Sequence, residues 1–517
     1  MEKIATDIYS FRKLRESGFT YVDKTALLLP LCDLSIGTQF FIARPRRFGK
    51  SLLVSTLQCL FEGRRELFKG LAIEPKWDWS KSWPVIHLDM GTIEAETVAE
   101  FRQAILDLLR KEAVRLQVKP CGDTLPSIAF DSLIRDVAET SPDGQCVVLI
   151  DEYDKPLLRH LSSPDIVQFR NELKPFYGVV KYAEEKQRFT FLTGVSKFSK
   201  VSIFSDLNNL IDLTMMASEA TLLGYTHEEL KHCFPESLKK IAAANGLTPE
   251  GAFEKVVRWY DGYRFHPNAE RVINPVSFGM CAKAGRFQNY WSTTAMTTFL
   301  TDALKKHPLD FSSINIDQSA LEAYEPDNPR LVTLLYQTGY LTIKDMRDYN
   351  GFRVFSLTFP NHEVSNSFLT SLAPVYAGLD QDAATNYQLL AMRAILADDV
   401  QGFVKALKNF FANIPYNLTD RQNEQMWQAI VYVILKSVGV GVNAEVLTNE
   451  GRIDMTCETP ASIWLIAFKL DRPAEEALAQ IDERNYAEKY DFSGKTVRKL
   501  GISFSSERRT IVDVKMS

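Results

Sequence analysis

No run of about 18 apolar residues occurs anywhere in the sequence, so a membrane-spanning helix is not expected. The opening MEKIATDIYSFRKL lacks the apolar core and small-residue cleavage site of a secretory signal, and a cytoplasmic chain without membrane attachment is the expectation. Cysteine is sparse: the seven residues are scattered, odd in number and form no CxxC pair. That argues against both a disulfide framework and a zinc ribbon, and leaves reduced, mostly buried thiols. Charge of one sign is also missing. Sixty basic residues against 65 acidic ones leave a net charge of −5, so no global positive field draws the chain onto nucleic acid or anionic lipid. Internal repeats and low-complexity tracts are absent as well.

What is present is a globular composition, 45% hydrophobic and 24% charged, spread over 517 residues. Such a length exceeds one core and implies several structural units.

QFFIARPRRFGKSLL (39–53) runs from a short apolar strand, Phe40 to Ala43, through a turn with Pro45 and Gly49 into a helix. In that context GKS means a phosphate-cradling loop. Backbone N–H groups and the helix N-terminus bind the anion, Lys50 reaches the outer phosphates, and the Ser51 hydroxyl ligates Mg²⁺. The expected ATP site is therefore Arg44, Pro45, Arg46, Arg47, Phe48, Gly49, Lys50 and Ser51, although Arg44 stands where the GxxxxGK[ST] pattern has glycine. CVVLIDEYDKPL (146–157) supplies a second strand, ending in acids. At such a strand end Asp151 would hold Mg²⁺ and Glu152 would polarise the attacking water. RFTFLTGVSKFS (188–199) is a third strand, whose Thr193, Ser196 and Lys197 either sense the γ-phosphate or form an ordinary polar turn; PVIHLDM (84–90) is a fourth. Strands separated by helical stretches predict an α/β fold, a mostly parallel sheet with helices on both faces.

From Ser218 to about Leu321 the pattern is mainly helical. Its aromatics Tyr260, Tyr263, Phe265, Tyr290 and Trp291 are read as packing rather than as a base-stacking platform. Residues 330–360 predict a helix ending at Gly339 and a hairpin turning at Asn350-Gly351, an order that suggests a winged helix, a unit that either binds DNA or serves as a regulatory lid; its mixed charge assigns no DNA binding. Further on, NEQMWQAIVYVILKSVG (423–439) is a helix carrying Glu424, and NAEVLTNEGRIDMTCE (443–458) is a strand pair carrying Asp454. WLIAFKL (464–470) is a buried strand with Lys469, and AEEALAQIDERNYAEKY (474–490) is a helix with Gln480 and Tyr486.

Together FRKLRESGFTYVDKTALL (11–28), RPRRFGKS, LIDEYDKP, WYDGYRF, INPVSF, NYWSTT and LTFPNHEV resemble the AAA-ATPase-like proteins that carry a C-terminal PD-(D/E)xK nuclease-superfamily domain. The likeness runs from about residue 7 to about residue 490. It implies a bacterial ATPase in which Arg44 is a family trait. The layout it implies is a P-loop (AAA-like) ATPase domain over 1–216, a helical lid over 217–325, a winged-helix-like segment over 326–370, a helical connector over 371–415 and a PD-(D/E)xK nuclease-like domain over 416–517. In that last domain Asp454 and Glu424 would hold Mg²⁺, and Lys469 would orient the water or stabilise developing charge. Ala467 occupies the position, two before the lysine, where a second acid belongs. An introduced inactivating change, natural degeneration, or migration of the acid to Asp471, Glu475 or Glu476 would each account for it; retention of Asp454, Lys469, Gln480 and Tyr486 favours the first. The expected function is an ATP-regulated, Mg²⁺-dependent nuclease acting on DNA or RNA and silenced here at Ala467. The alternatives are a nucleotide-dependent binding or signalling ATPase with a non-catalytic nuclease-like domain, and a translocating motor. Arg46 or Arg47 would act across a homo-oligomer interface or within one chain.

Overall fold

In the computed structural model, residues 2–517 are described except 123, 162, 199–208, 292–299, 301–302, 305–308, 310, 312–313, 323–329, 378, 414–423, 438–440, 449–450, 492 and 509. Ser199 and the STT of NYWSTT therefore fall outside the described residues, as does the side chain of Glu424. By compactness the chain divides into two units, residues 1–290 with 316–355, and residues 291–315 with 356–517.

The first unit is built on strands β1 (Gln39–Ala43), β2 (Val85–Asp89), β3 (Cys146–Asp151), β4 (Gln187–Gly194) and β5 (Ile211–Asp212), in the order β2-β3-β4-β1-β5. Every neighbouring pair is parallel. Parallel strands with both faces covered must be apolar throughout, and β1 and β3 are buried at every position. The helices Lys50–Phe61, Val98–Arg115 and Pro126–Glu139 pack on this sheet. Parallel order brings the carboxyl ends of β1, β2, β3 and β4 to one edge, where the GKS loop also lies.

Beyond the sheet, the helices Pro235–Asn245, Pro249–Tyr260 and Pro275–Ala284 share a core of Phe234, Ile241, Val256, Tyr260 and Phe278. Tyr260, Tyr263, Phe265 and Tyr290 are all buried. The Phe48 ring of the loop packs edge-on to Tyr263 at 4.7 Å and Phe265 at 5.5 Å, so part of the aromatic set braces the loop. The helix Leu331–Gln337 is followed by Gly339 at φ 91°, where a Cβ would stand 2.6 Å from that of Pro45. Strands β7 (Thr342–Tyr349) and β8 (Phe352–Thr358), which follow the short β6 (Ile314–Asp317), are joined by Asn350 and Gly351, both at positive φ, as a two-residue hairpin requires.

The second unit centres on β9 (Gly441–Thr448), β10 (Gly451–Glu458), β11 (Ser462–Leu470), β12 (Thr496–Ser505) and β13 (Thr510–Met516). Their spatial order is β13-β12-β11-β10-β9, antiparallel except for β11 with β12. On one face Trp464 packs edge-on to Phe403 at 5.7 Å, while Phe468 stacks on Phe504 at 5.8 Å and Phe504 on Trp427 at 5.2 Å. On the other face Leu465 and Ala467 meet Ala477 and Ile481 of the helix Ala474–Glu483. Asp398, between the helices Gln381–Leu396 and Val400–Phe411, accepts hydrogen bonds from Ser462 Oγ at 2.6 Å and Trp464 Nε1 at 3.0 Å. That carboxylate ties the helical segment before residue 415 to the central strand. Among the described residues no helix is long and apolar enough to cross a membrane.

Candidate functional site

Gly49 at φ 94° lets the chain turn from the loop into the helix Lys50–Phe61, whose N-cap offers no side-chain hydrogen bond. The first-turn N–H groups of that helix therefore have no side-chain cap, and its dipole favours an anion there. Lys50 is buried, and its Nζ donates to the carbonyls of Arg44 at 2.9 Å and Pro45 at 3.0 Å. Burial holds its pKa below the usual lysine range, against the pull of Asp151.

The three loop arginines divide. Arg44 is buried, and its guanidinium donates to the carbonyls of Ala43 (2.9 Å), Thr214 (2.8 Å) and Glu219 (3.2 Å) while lying 4.0 Å over the Phe265 ring. Burial pushes its pKa down to about 10. In this geometry Arg44 braces the loop rather than facing an anion. Arg47, at φ 68°, donates to the Tyr290 carbonyl at 2.5 Å, and Arg46 is exposed.

Asp151 is buried at the end of β3, where the Ser51 hydroxyl donates to its carboxylate; burial nevertheless raises its pKa to about 6. A buried carboxylate so raised is short of compensating positive charge, which fits a cation held by Ser51 and Asp151. Glu152, the next residue, has its carboxylate 2.6 Å from Lys155 Nζ. Thr193, Ser196 and Lys197 do not act alike. Ser196 Oγ donates to Asp154 at 2.6 Å, and Lys197 Nζ pairs with Asp212 at 2.5 Å. The Thr193 hydroxyl is buried and has no hydrogen-bond partner among the described residues. Asp154 and Asp89 also stand at this edge, and neither was singled out from sequence. Asp154 is fully buried, accepting from the N–H groups of Val195 and Ser196, and Asp89 lies opposite Asp151 in the β2–β3 register. An acid closing an apolar run, as in PVIHLDM, was the available signal.

In the second unit the β10–β11 ladder runs from Glu458↔Ile463 to Met455↔Ile466. Extending that register puts Ala467 opposite Asp454, hence on the same face, with Lys469 two residues on. At this point the N–H of Phe468 donates to Asp454 Oδ2 at 2.9 Å. Lys469 Nζ donates to Gln480 Oε1 at 2.6 Å, and Tyr486 is buried in the same apolar cluster as Ala467. The structure thus brings Asp454, Ala467, Lys469, Gln480 and Tyr486 to one side of the sheet. The three acids considered as substitutes are engaged elsewhere. Asp471 accepts from Ser506 N (2.8 Å) and Oγ (2.5 Å), Glu475 pairs with Lys515 at 2.7 Å, and Glu476 lies 3.7 Å from Arg472.

A model described as predicted AAA-ATPase matches residues 5–204, and one described as PD-(D/E)XK nuclease superfamily matches residues 422–514. A relative from Azotobacter chroococcum mcd 1, described as "Uncharacterized protein in vnfD 5'region", is 34% identical over 526 residues, covering 99% of this chain and 98% of its own length. The chain belongs to the AAA-ATPase-like family with a PD-(D/E)XK domain. The parallel sheet with its GKS loop is the AAA-ATPase-like part, and the β9–β13 sheet is the PD-(D/E)XK part. In the second, among the described residues Asp454 is the carboxylate that faces Lys469; its Oδ2 accepts the Phe468 N–H, and Ala467 contributes no second oxygen to a cation.

Proposed function

We propose that this chain couples an ATP-binding switch to a nuclease-type domain acting on DNA or RNA, and that in this chain the phosphodiester-cleaving site is silenced at residue 467. In the switch, the loop N–H groups and Lys50 bind the outer phosphates, Ser51 and Asp151 hold Mg²⁺, and Glu152 polarises the attacking water. Mg²⁺, when bound there, neutralises charge on the phosphates. A cavity of about 110 Å³, lined by Tyr9, Val22, Arg47, Gly49 and Leu223 among others, adjoins the loop and suits the rest of the nucleotide. Arg46, exposed on the loop, is available to a second copy of the chain.

The observation that supports the nuclease reading is the convergence of Asp454, Lys469 and Gln480 on one face, with Ala467 at the position expected of a second acid. One observation favours the second reading, a nucleotide-dependent binding or signalling protein with a non-catalytic domain. Ala467 is 1% exposed and packed against Ala477 and Ile481, so its site is filled by apolar contact. The test is cleavage of labelled DNA and RNA with Mg²⁺ by Ala467→Glu, with and without ATP. Restoring a charge-handling group is expected to raise the rate on the order of 10²–10³-fold, and Asp454→Asn in the same background should abolish the gain. No cleavage of either polymer by Ala467→Glu would leave the binding reading in its place.

A further inference from the structure

Lys155 has no role in the site as described so far, yet it holds the residue expected to polarise the attacking water. Three features meet at the end of β3. Glu152 sits at φ 51°, the left-handed region that L-residues avoid. Its Oε2 lies 2.6 Å from Lys155 Nζ in a pair whose side chains are only about a third exposed, at 31% and 34%. Beneath both is Gly91, buried in the turn after β2, where a Cβ would stand 2.1 Å from Glu152 Oε2 and 2.9 Å from Lys155 Nζ. That turn is fixed by Asp89, whose Oδ1 accepts from the Gly91 N–H at 2.9 Å.

The strand order decides the direction. β3 has β2 on one side and β4 with β1 on the other, and the phosphate loop follows β1. A carboxylate docked over Gly91 therefore lies toward the β2 side of the sheet. Asp151, one residue earlier, accepts from Ser51 of the phosphate loop. Neighbouring acids thus have different partners, Asp151 the loop hydroxyl and Glu152 the ammonium of Lys155.

We infer that Lys155 is a latch, a positioning residue that parks Glu152 over Gly91, so that ATP turnover requires the Glu152–Lys155 pair to open. The inference rests on the ATP-hydrolysing reading above and adds a restraint on its rate. An ion pair of this exposure is screened by solvent, so its release changes the population of the free carboxylate modestly.

Steady-state ATP turnover and equilibrium ATP binding by the full chain test it. Lys155→Met is expected to raise kcat about fivefold with KM unchanged, because the pair restrains the reacting step and not nucleotide binding. Gly91→Ala puts a methyl 2.1 Å from Oε2, as well as 2.8 Å from Asp89 Oδ1 and 2.9 Å from Lys155 Nζ; it displaces both members of the pair and should raise kcat likewise with Lys155 unmutated. Lys155→Arg keeps the charge and should return the rate toward that of the wild type, an outcome a merely structural role for the side chain would not give. Lys155→Met with kcat at or below wild type, while ATP binding is intact, overturns the latch whatever Gly91→Ala does. Absence of ATP binding by the wild type would instead remove the nucleotide reading, and the latch with it.

Discussion

The two sheets of this chain carry their site acids differently, the first at the ends of its strands and the second within them. At the edge of the parallel sheet Asp89, Asp151, Glu152 and Asp154 all persist, and hydrogen bonds or ion pairs hold each in place. Within the C-terminal sheet Asp454, midway along β10, keeps its place on the Phe468 N–H, while its neighbour across the strands is Ala467 of β11. The difference teaches how each site tolerates loss. In the parallel sheet Asp154 accepts from the buried N–H groups of Val195 and Ser196 and Asp89 from that of Gly91, so losing either acid strands its partners. At residue 467 the closely packed helix Ala474–Glu483 supplies Ala477 and Ile481 as apolar neighbours, among which a methyl packs.

That contrast can be broken at three points, in decreasing order of expected effect. Lys50→Ala should weaken ATP binding on the order of 100-fold, measured by equilibrium dialysis, because a charge-assisted contact to phosphate is lost and the Arg44 and Pro45 carbonyls lose their donor. The C-terminal domain should be untouched. Gly501→Ala strikes the other sheet. Its Cβ would fall 2.4 Å from the Ala474 carbonyl oxygen and 2.9 Å from the Leu478 nitrogen, backbone atoms of the helix that covers Ala467. Since Gly501 pairs with Ala467 across β11–β12, overpacking there should cost about 1–3 kcal/mol in urea unfolding and lift that helix from the site. An unchanged midpoint would mean that the helix is not seated as tightly as its backbone implies.

The third sharpens the comparison through pH. Burial raises Asp151 to about 6 in the folded chain, whereas an unfolded aspartate titrates near ~3.9. The folded state therefore holds a proton that the unfolded state has released, and stability from this group is complete at low pH and lost as pH rises through about 6. Without nucleotide and Mg²⁺, the wild type should lose about 1 kcal/mol between pH 5 and pH 7 relative to Asp151→Asn, read from melting at each pH. Equal pH dependence in both proteins would show that Asp151 is ionised throughout.

Much of this was legible in the chain itself, and the reasons are physical. β1 and β3 announced themselves because a strand buried on both faces reads as a near-continuous apolar run, and GKS following one marks the turn into a helix. The hairpin at Asn350-Gly351 was equally plain, since few residues accept two successive positive φ angles. What stayed hidden depends on neighbours distant in sequence. Arg44 looks like an anion ligand beside Lys50, but carbonyls some 170 residues away claim its guanidinium. Ser196 and Lys197 look like a pair of sensors, but Asp154 and Asp212 hold them, while the Thr193 hydroxyl finds no partner among the described residues.

The sequence by itself determined which residues end the strands, where the phosphate loop turns, and that alanine stands two positions before Lys469. Local sterics and apolar periodicity act over a few residues and need no partner to be read. Only the tertiary structure decided that Asp454 shares a face with Ala467 and Lys469, that Arg44 is a brace, and that Glu152 lies over Gly91 against Lys155. Strand order and register fix those distances, and both follow from the packing of whole sheets rather than from any single stretch of chain.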